Sequence, residues 1–106
     1  MGIKNLNSGS FDEAVKDGIS VVDFYADWCM PCKALGPMIE RMSEKFKDVK
    51  FGKINVDKEI DLAQRFMVMG IPTVIFFKKN EQIDRFTGLV SEEVFLKKIE
   101  SLSRKK

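Results

Sequence analysis

The chain's two cysteines, Cys29 and Cys32, stand three positions apart around Met30 and Pro31 in the stretch VVDFYADWCMPCKALGPM. Thiols at i and i+3 of a helix share a face with Cβ atoms about 5–6 Å apart, and a tightened first turn brings them within disulfide reach. Such a pair can switch between dithiol and disulfide. Where it opens a helix, the unpaired N–H groups and the macrodipole stabilise an anion, which lowers the pKa of Cys29 and populates its nucleophilic thiolate. Cys32, one turn further in, is expected to be less exposed and to act as the resolving thiol. Asp23 interrupts the apolar run Val21, Val22, Phe24, Tyr25 and Ala26. A carboxyl inside a covered strand should be pushed up by desolvation, and one poised nearer neutrality is a candidate base for the Cys32 proton. Lys53, in a later strand, is placed to tune it. The alternative is a structural ion pair between Asp23 and Lys53.

The elements that must hold these groups follow from hydrophobic period. IKNL reads as a short strand, and Ser10-Phe11-Asp12-Glu13 as a capping box opening a helix that ends at Gly18. ISVVDFYA is nearly continuous apolar, as a strand buried on both faces requires. From Cys29 onward, Leu35, Met38, Ile39, Met42 and Phe46 form one stripe of a long helix that Pro37 should kink. Pro31 falls in its first turn, where a missing N–H is harmless. VKFGKINV reads as a third strand, followed by a helix capped by Asp57 with Ile60, Ala63, Phe66 and Met67 inward. Met38, Met42 and Met67 read as core filling. TVIFFK, a turn at Lys79-Asn80 and QIDRFTG make a hairpin whose second strand does not alternate cleanly. Ser91 opens a last helix with Val94, Phe95, Ile99 and Leu102 inward. The order β-α-β-α-β-α-β-β-α predicts a sheet with helices on both faces and its first three strands parallel. Chemistry in such sheets gathers where strands end and helices begin, which is where Cys29 falls.

Composition narrows the function. At 106 residues the chain is expected to be one domain, residues 1–106, and a monomer. Its 18 basic and 16 acidic residues are spread along the chain apart from Arg104, Lys105 and Lys106 at the end, which gives no nucleic-acid footprint. No stretch reads as a signal peptide or membrane span, so the expected location is cytoplasmic, where a cysteine pair is catalytic or metal-binding rather than a staple. Histidine is absent, which removes His-based triads and most metal sites. A metal or iron–sulfur module built on the pair remains an alternative, although two thiolates fall short of a closed zinc site. A disulfide oxidase or isomerase is a further alternative, and the missing export signal speaks against it.

The segments VVDFYADWCMPCK, LGPM, GKINVD, MGIPT and TGL together resemble the thioredoxin family over essentially the whole chain. The resemblance implies an α/β fold with a central five-stranded mixed sheet flanked by four helices. It also implies a dithiol that reduces oxidised protein substrates, restored by thioredoxin reductase drawing on NADPH, with no bound cofactor or metal. Carried over residue by residue, Cys29 attacks, Cys32 resolves, Asp23 is the buried acid and Lys53 its companion. Pro72 would be a cis-proline facing the redox-active disulfide. Trp28, Met30, Pro31, Gly70, Ile71 and Gly88 would line the surface that docks partner chains. Two positions depart from the family: Met30-Pro31 replaces the usual Gly-Pro, and Asn80 stands in the hairpin where glycine is common.

Overall fold

A computed structural model describes residues 2–104. Along it run β1 (Ile3–Asn5), α1 (Phe11–Val15), β2 (Ile19–Tyr25), α2 (Met30–Lys45), β3 (Lys50–Asn55), α3 (Ile60–Arg65), β4 (Thr73–Lys78), β5 (Glu81–Thr87) and α4 (Glu92–Arg104). The strands form one mixed sheet in the order β1-β3-β2-β4-β5. β1 and β2 flank β3 in parallel, while β4 runs antiparallel to both β2 and β5. The α/β architecture of five strands and four helices is the one expected. Lys105 and Lys106, the end of the expected basic run, lie outside the described residues.

β2 is the central strand, and its near-continuous apolar sequence reflects cover on both faces. On one face Val21, Phe51, Val74 and Phe76 pack with Leu35, Met38, Ile39 and Met42 of α2 and with Phe95 and Ile99 of α4. On the other, Val22, Phe24, Ile54, Ile75 and Phe77 meet Phe11 and Val15 of α1 and Leu62 of α3. Alternation along β2 therefore turns Asp23, two residues from Val21, towards α2. Gly52 in β3 is required by a close approach: a Cβ there would stand 2.5 Å from Leu6 Cδ1.

Several local expectations are corrected. Ser10 does not cap α1 with its side chain. Its hydroxyl instead accepts from the Asn7 N–H, within a turn that Asn7 Oδ1 closes on the N–H groups of Gly9 and Ser10. α1 then stops at Val15, short of Gly18. α3 is only six residues long and is preceded by Glu59 rather than capped by Asp57. Leu62 is its buried residue and Phe66, just past its end, packs on the core as expected, while Ile60 and Met67 are exposed, so Met67 fills no core. The helical stripe fails because α3 ends before Met67, which closes it in a left-handed conformation at φ 52°. There the Val68 N–H reaches the Ala63 carbonyl and the Met67 N–H the Gln64 carbonyl, a Schellman arrangement in which glycine is the usual residue. Val94 is exposed, because Phe95 and Ile99 define the buried stripe of α4 one residue on. Ser91 does cap that helix, its hydroxyl accepting from the Val94 N–H. α2 continues past Pro37 to Lys45. The uneven pattern of β5 has a cause: the register shifts at Phe76/Phe77, leaving Ile83 as an extra residue in a bulge. Lys79 and Asn80 both have positive φ, so the hairpin turns without glycine.

Candidate functional site

β2 ends at Tyr25, and Ala26, Asp27 and Trp28 carry the chain to Cys29, the N-cap of α2. Cys29 is extended, at φ −91° and ψ 111°, and its Sγ accepts the Cys32 N–H at 3.2 Å. The sulfur thus occupies the place where a helix presents unsatisfied donors, which stabilises negative charge on it. Cys29 and Cys32 form a disulfide with Cα atoms 5.2 Å apart. Pro31 lies in the first turn as expected. The expected difference in exposure is not found: as whole residues the cysteines are 4% and 5% exposed. They are sheltered together with Ala26 in a cluster against which Tyr25, Val56 and Ile71 pack.

Asp23, Cys32 and Lys53 line one cleft of about 340 Å³, together with Lys33 and Gly36. Desolvation by burial pushes the Asp23 carboxyl from 3.8 up to about 7, against the opposing charge of Lys53. Asp23 Oδ1 is buried without a hydrogen-bond partner. Lys53 faces Asp23 across the β2–β3 register. Its ammonium stands over the Tyr25 ring, 5.5 Å from the centroid, and among the described residues it forms no ion pair with Asp23. The cleft is wide enough for a water-mediated path between carboxyl and thiol. Gly36 lines it, and a Cβ there would meet nothing within 4 Å.

Ile71 packs against the cysteine cluster, and the Ile71-Pro72 peptide is cis. Pro72 is buried, and its carbonyl accepts the Gly88 N–H at 2.8 Å, which ties the end of β5 to the proline loop. Gly88 has φ 88°, a conformation that favours glycine. The Gly70 carbonyl accepts the Thr73 hydroxyl at the start of β4. Trp28 and Met30 are exposed at 67% and 70%, apolar surface that a soluble fold gains nothing by displaying.

Asp57 does not cap α3, and its partner lies far away in sequence. Its Oδ2 accepts the indole N–H of Trp28 at 2.8 Å, fixing that ring over the loop after β3. The one available signal was an acid directly after a parallel strand, at the edge where chemistry gathers. Ile60, Met67 and Met69 are exposed as well, beside a groove lined by Val56. Among the described residues no group of three or more His, Cys, Asp or Glu side chains is placed to hold a metal ion.

Comparison with known proteins agrees with this geometry. A family model described as Thioredoxin matches residues 2–101. A thioredoxin of Chlamydia pneumoniae is 37% identical over 91 residues, covering 86% of this chain and 89% of its own. Thioredoxin-2 of Saccharomyces cerevisiae is 42% identical over 89 residues, 81% of this chain and 86% of its own. Among solved structures, a mutant thioredoxin from Halobacterium salinarum superposes with a TM-score of 0.92 at 32% identity, covering 98% of this chain and 93% of that one. A chain from a study of thiol resolution in yeast mitochondrial 1-Cys peroxiredoxin via glutathione/thioredoxin systems gives 0.87 at 31% identity, with 94% and 95% coverage. The chain belongs to the thioredoxin family, and with its Cys29–Cys32 pair it is a thiol–disulfide oxidoreductase that reduces protein disulfides.

Proposed function

We propose a division of labour in which Cys29 attacks, Cys32 resolves and Asp23 handles the proton. The Cys29 thiolate attacks one sulfur of a substrate disulfide, forming a mixed disulfide and releasing the first substrate thiolate. The Asp23 carboxylate takes the Cys32 proton through the shared cleft. Cys32 then attacks the Cys29 sulfur, releases the second substrate thiolate and leaves the Cys29–Cys32 disulfide. Two electrons pass to the substrate in all. Lys53 sets how readily Asp23 ionises. The observation that carries this reading is the unpartnered Asp23 carboxyl in the cleft that Cys32 lines.

Partner chains dock over Trp28, Met30, Pro31, Gly70, Ile71 and Gly88, with the cis-proline Pro72 facing the disulfide. The dithiol is restored by a thioredoxin reductase, and the protein acts as a monomeric single domain, residues 1–106, in the cytoplasm without a bound cofactor. No helix among the described residues is long and apolar enough to cross a membrane.

Incubation with an oxidised protein such as insulin tests the roles. Cys32→Ser should accumulate a mixed disulfide through Cys29, and Cys29→Ser should trap nothing. Stable trapping by Cys29→Ser would reverse the assignment.

A further inference from the structure

The methionines fall into two groups. Met38 and Met42 are core residues, 6% and 3% exposed, whereas Met30, Met67 and Met69 are 70%, 72% and 90% exposed. Met30 sits between the cysteines in sequence. Met67 and Met69 line a groove of about 310 Å³ with Val56 and Ile60, and Val56 itself packs against the cysteine cluster. Met69 also stands two residues before Ile71, which packs on the same cluster.

Stability does not explain this arrangement. Met67 occupies the left-handed closing position of a Schellman motif, at φ 52°, where glycine would be less strained. Exposed apolar side chains gain nothing from folding either. A thioether is flexible and polarizable, so it can adapt to varied apolar side chains beside a target disulfide. It is also the side chain that a peroxide turns from apolar to polar.

We propose that Met30, Met67 and Met69 are modification sites, at which oxidation by a peroxide to sulfoxide uncouples the disulfide from its protein partners. This rests on the docking surface described above, which the proposal extends from Met30 to Met67 and Met69 along the groove that Val56 joins to the cysteine cluster, and whose occupant is the apolar segment flanking the partner's disulfide. In each step the methionine sulfur gains one oxygen atom and gives up two electrons, the peroxide O–O bond breaks, and hydrogen peroxide leaves as water. The sulfoxide lays a strong acceptor across a surface that recognised apolar groups. Electron transfer at the cysteines is left intact, but protein partners dock poorly.

The test treats the disulfide form with hydrogen peroxide, since it has no free thiol to oxidise, then restores the dithiol with a phosphine. Peptide mapping should find one added oxygen on each of Met30, Met67 and Met69 and none on Met38 or Met42. For insulin, kcat/KM should fall about tenfold, as expected if docking loses part of the burial of these side chains. Reduction of a small aromatic disulfide such as dithiobis-nitrobenzoate should not change. In the triple variant Met30→Leu, Met67→Leu, Met69→Leu, peroxide should leave the variant's own insulin rate unaltered. An equal loss in that variant overturns the proposal, as does an unchanged insulin rate once the three sulfoxides have formed. Failure of the untreated protein to reduce either disulfide overturns the reading of function on which the proposal stands.

Discussion

Replacing Asp23 by asparagine removes a carboxyl that the fold holds out of water while keeping its shape. Burial raises that carboxyl to about 7, with Lys53 opposing, whereas in the unfolded chain it titrates near its ordinary value of about 4. Below about pH 4 both states hold the proton, and the group contributes no pH dependence. Between about pH 4 and pH 7 the unfolded chain ionises while the folded one keeps its proton, so stability falls by about 1.4 kcal/mol per pH unit. Above that window both states are ionised and the loss is constant, at about 4 kcal/mol. The Asp23→Asn protein lacks this loss. Its advantage over the native chain should therefore be small at pH 4, rise through the window and level off above neutrality. Urea melts of the disulfide form between pH 4 and 8 measure it, and the same variant should resolve mixed disulfides more slowly. Lys53→Met supplies a second arm. Without the charge that favours ionisation, the transition should move to higher pH. Parallel pH profiles for Asp23→Asn and the native chain would show that the carboxyl is not desolvated and would sink the argument.

Met30 brings neither charge nor strong donor to the start of α2, so Met30→Gly should shift the redox potential by only about 30 mV, roughly 1.4 kcal/mol for two electrons. The native potential should stay nearer that of other thioredoxins than that of protein disulfide isomerase, roughly 90 mV away; equilibration with glutathione buffers decides. Met67→Gly should raise stability by about 1 kcal/mol, because glycine adopts the left-handed closing position without strain, and a lower melting temperature would contradict this. Gly36→Ala should also stabilise the fold, by roughly 0.5–1 kcal/mol, since its Cβ enters open space. That methyl narrows the cleft beside Asp23, so rapid-quench kinetics should show slower resolution by Cys32, and an unchanged rate would deny the cleft a role.

The features legible in the sequence are those set by short-range period. The stripe of α2, the doubly covered β2 and the acid within it follow from spacing alone, because both faces of β2 and one face of α2 are in fact buried. What escaped depends on partners distant along the chain or on where an element stops. Asp57 was open to capping by any local rule, yet Trp28, 29 residues away, takes its carboxylate. Ser10 carried the right motif, but the Asn7 amide oxygen had already organised that turn. Met67 matched a helical stripe whose helix ends at Arg65. In β5 one bulged residue, Ile83, turns a regular alternation into an irregular one.

Departures from local rules also occur at the opposite end of the sheet, in the Lys79-Asn80 turn and the bulge at Ile83, but those around α2 involve groups that can do chemistry. On the face of the sheet covered by α1 and α3, Phe11, Phe66 and Phe77 pack with ring centroids 5.2–5.5 Å apart, and Arg65 lies over Phe11 and Phe66 while pairing with Asp12. Those groups are apolar where buried and paired where charged. Around α2's first turn the pattern reverses: an acid lies buried with a free oxygen, a cysteine sulfur serves as the N-cap, and Trp28 and Met30 are left in water. A fold selected only for stability would fill the Asp23 site with an aliphatic side chain and cap α2 with serine or aspartate. The buried acid alone costs about 4 kcal/mol near neutrality, a large share of the roughly 5–15 kcal/mol by which a domain is stable. Such a cost is sustained where ionisation of that carboxyl does something the fold does not need, and the group sharing its cleft is the thiol that must lose a proton.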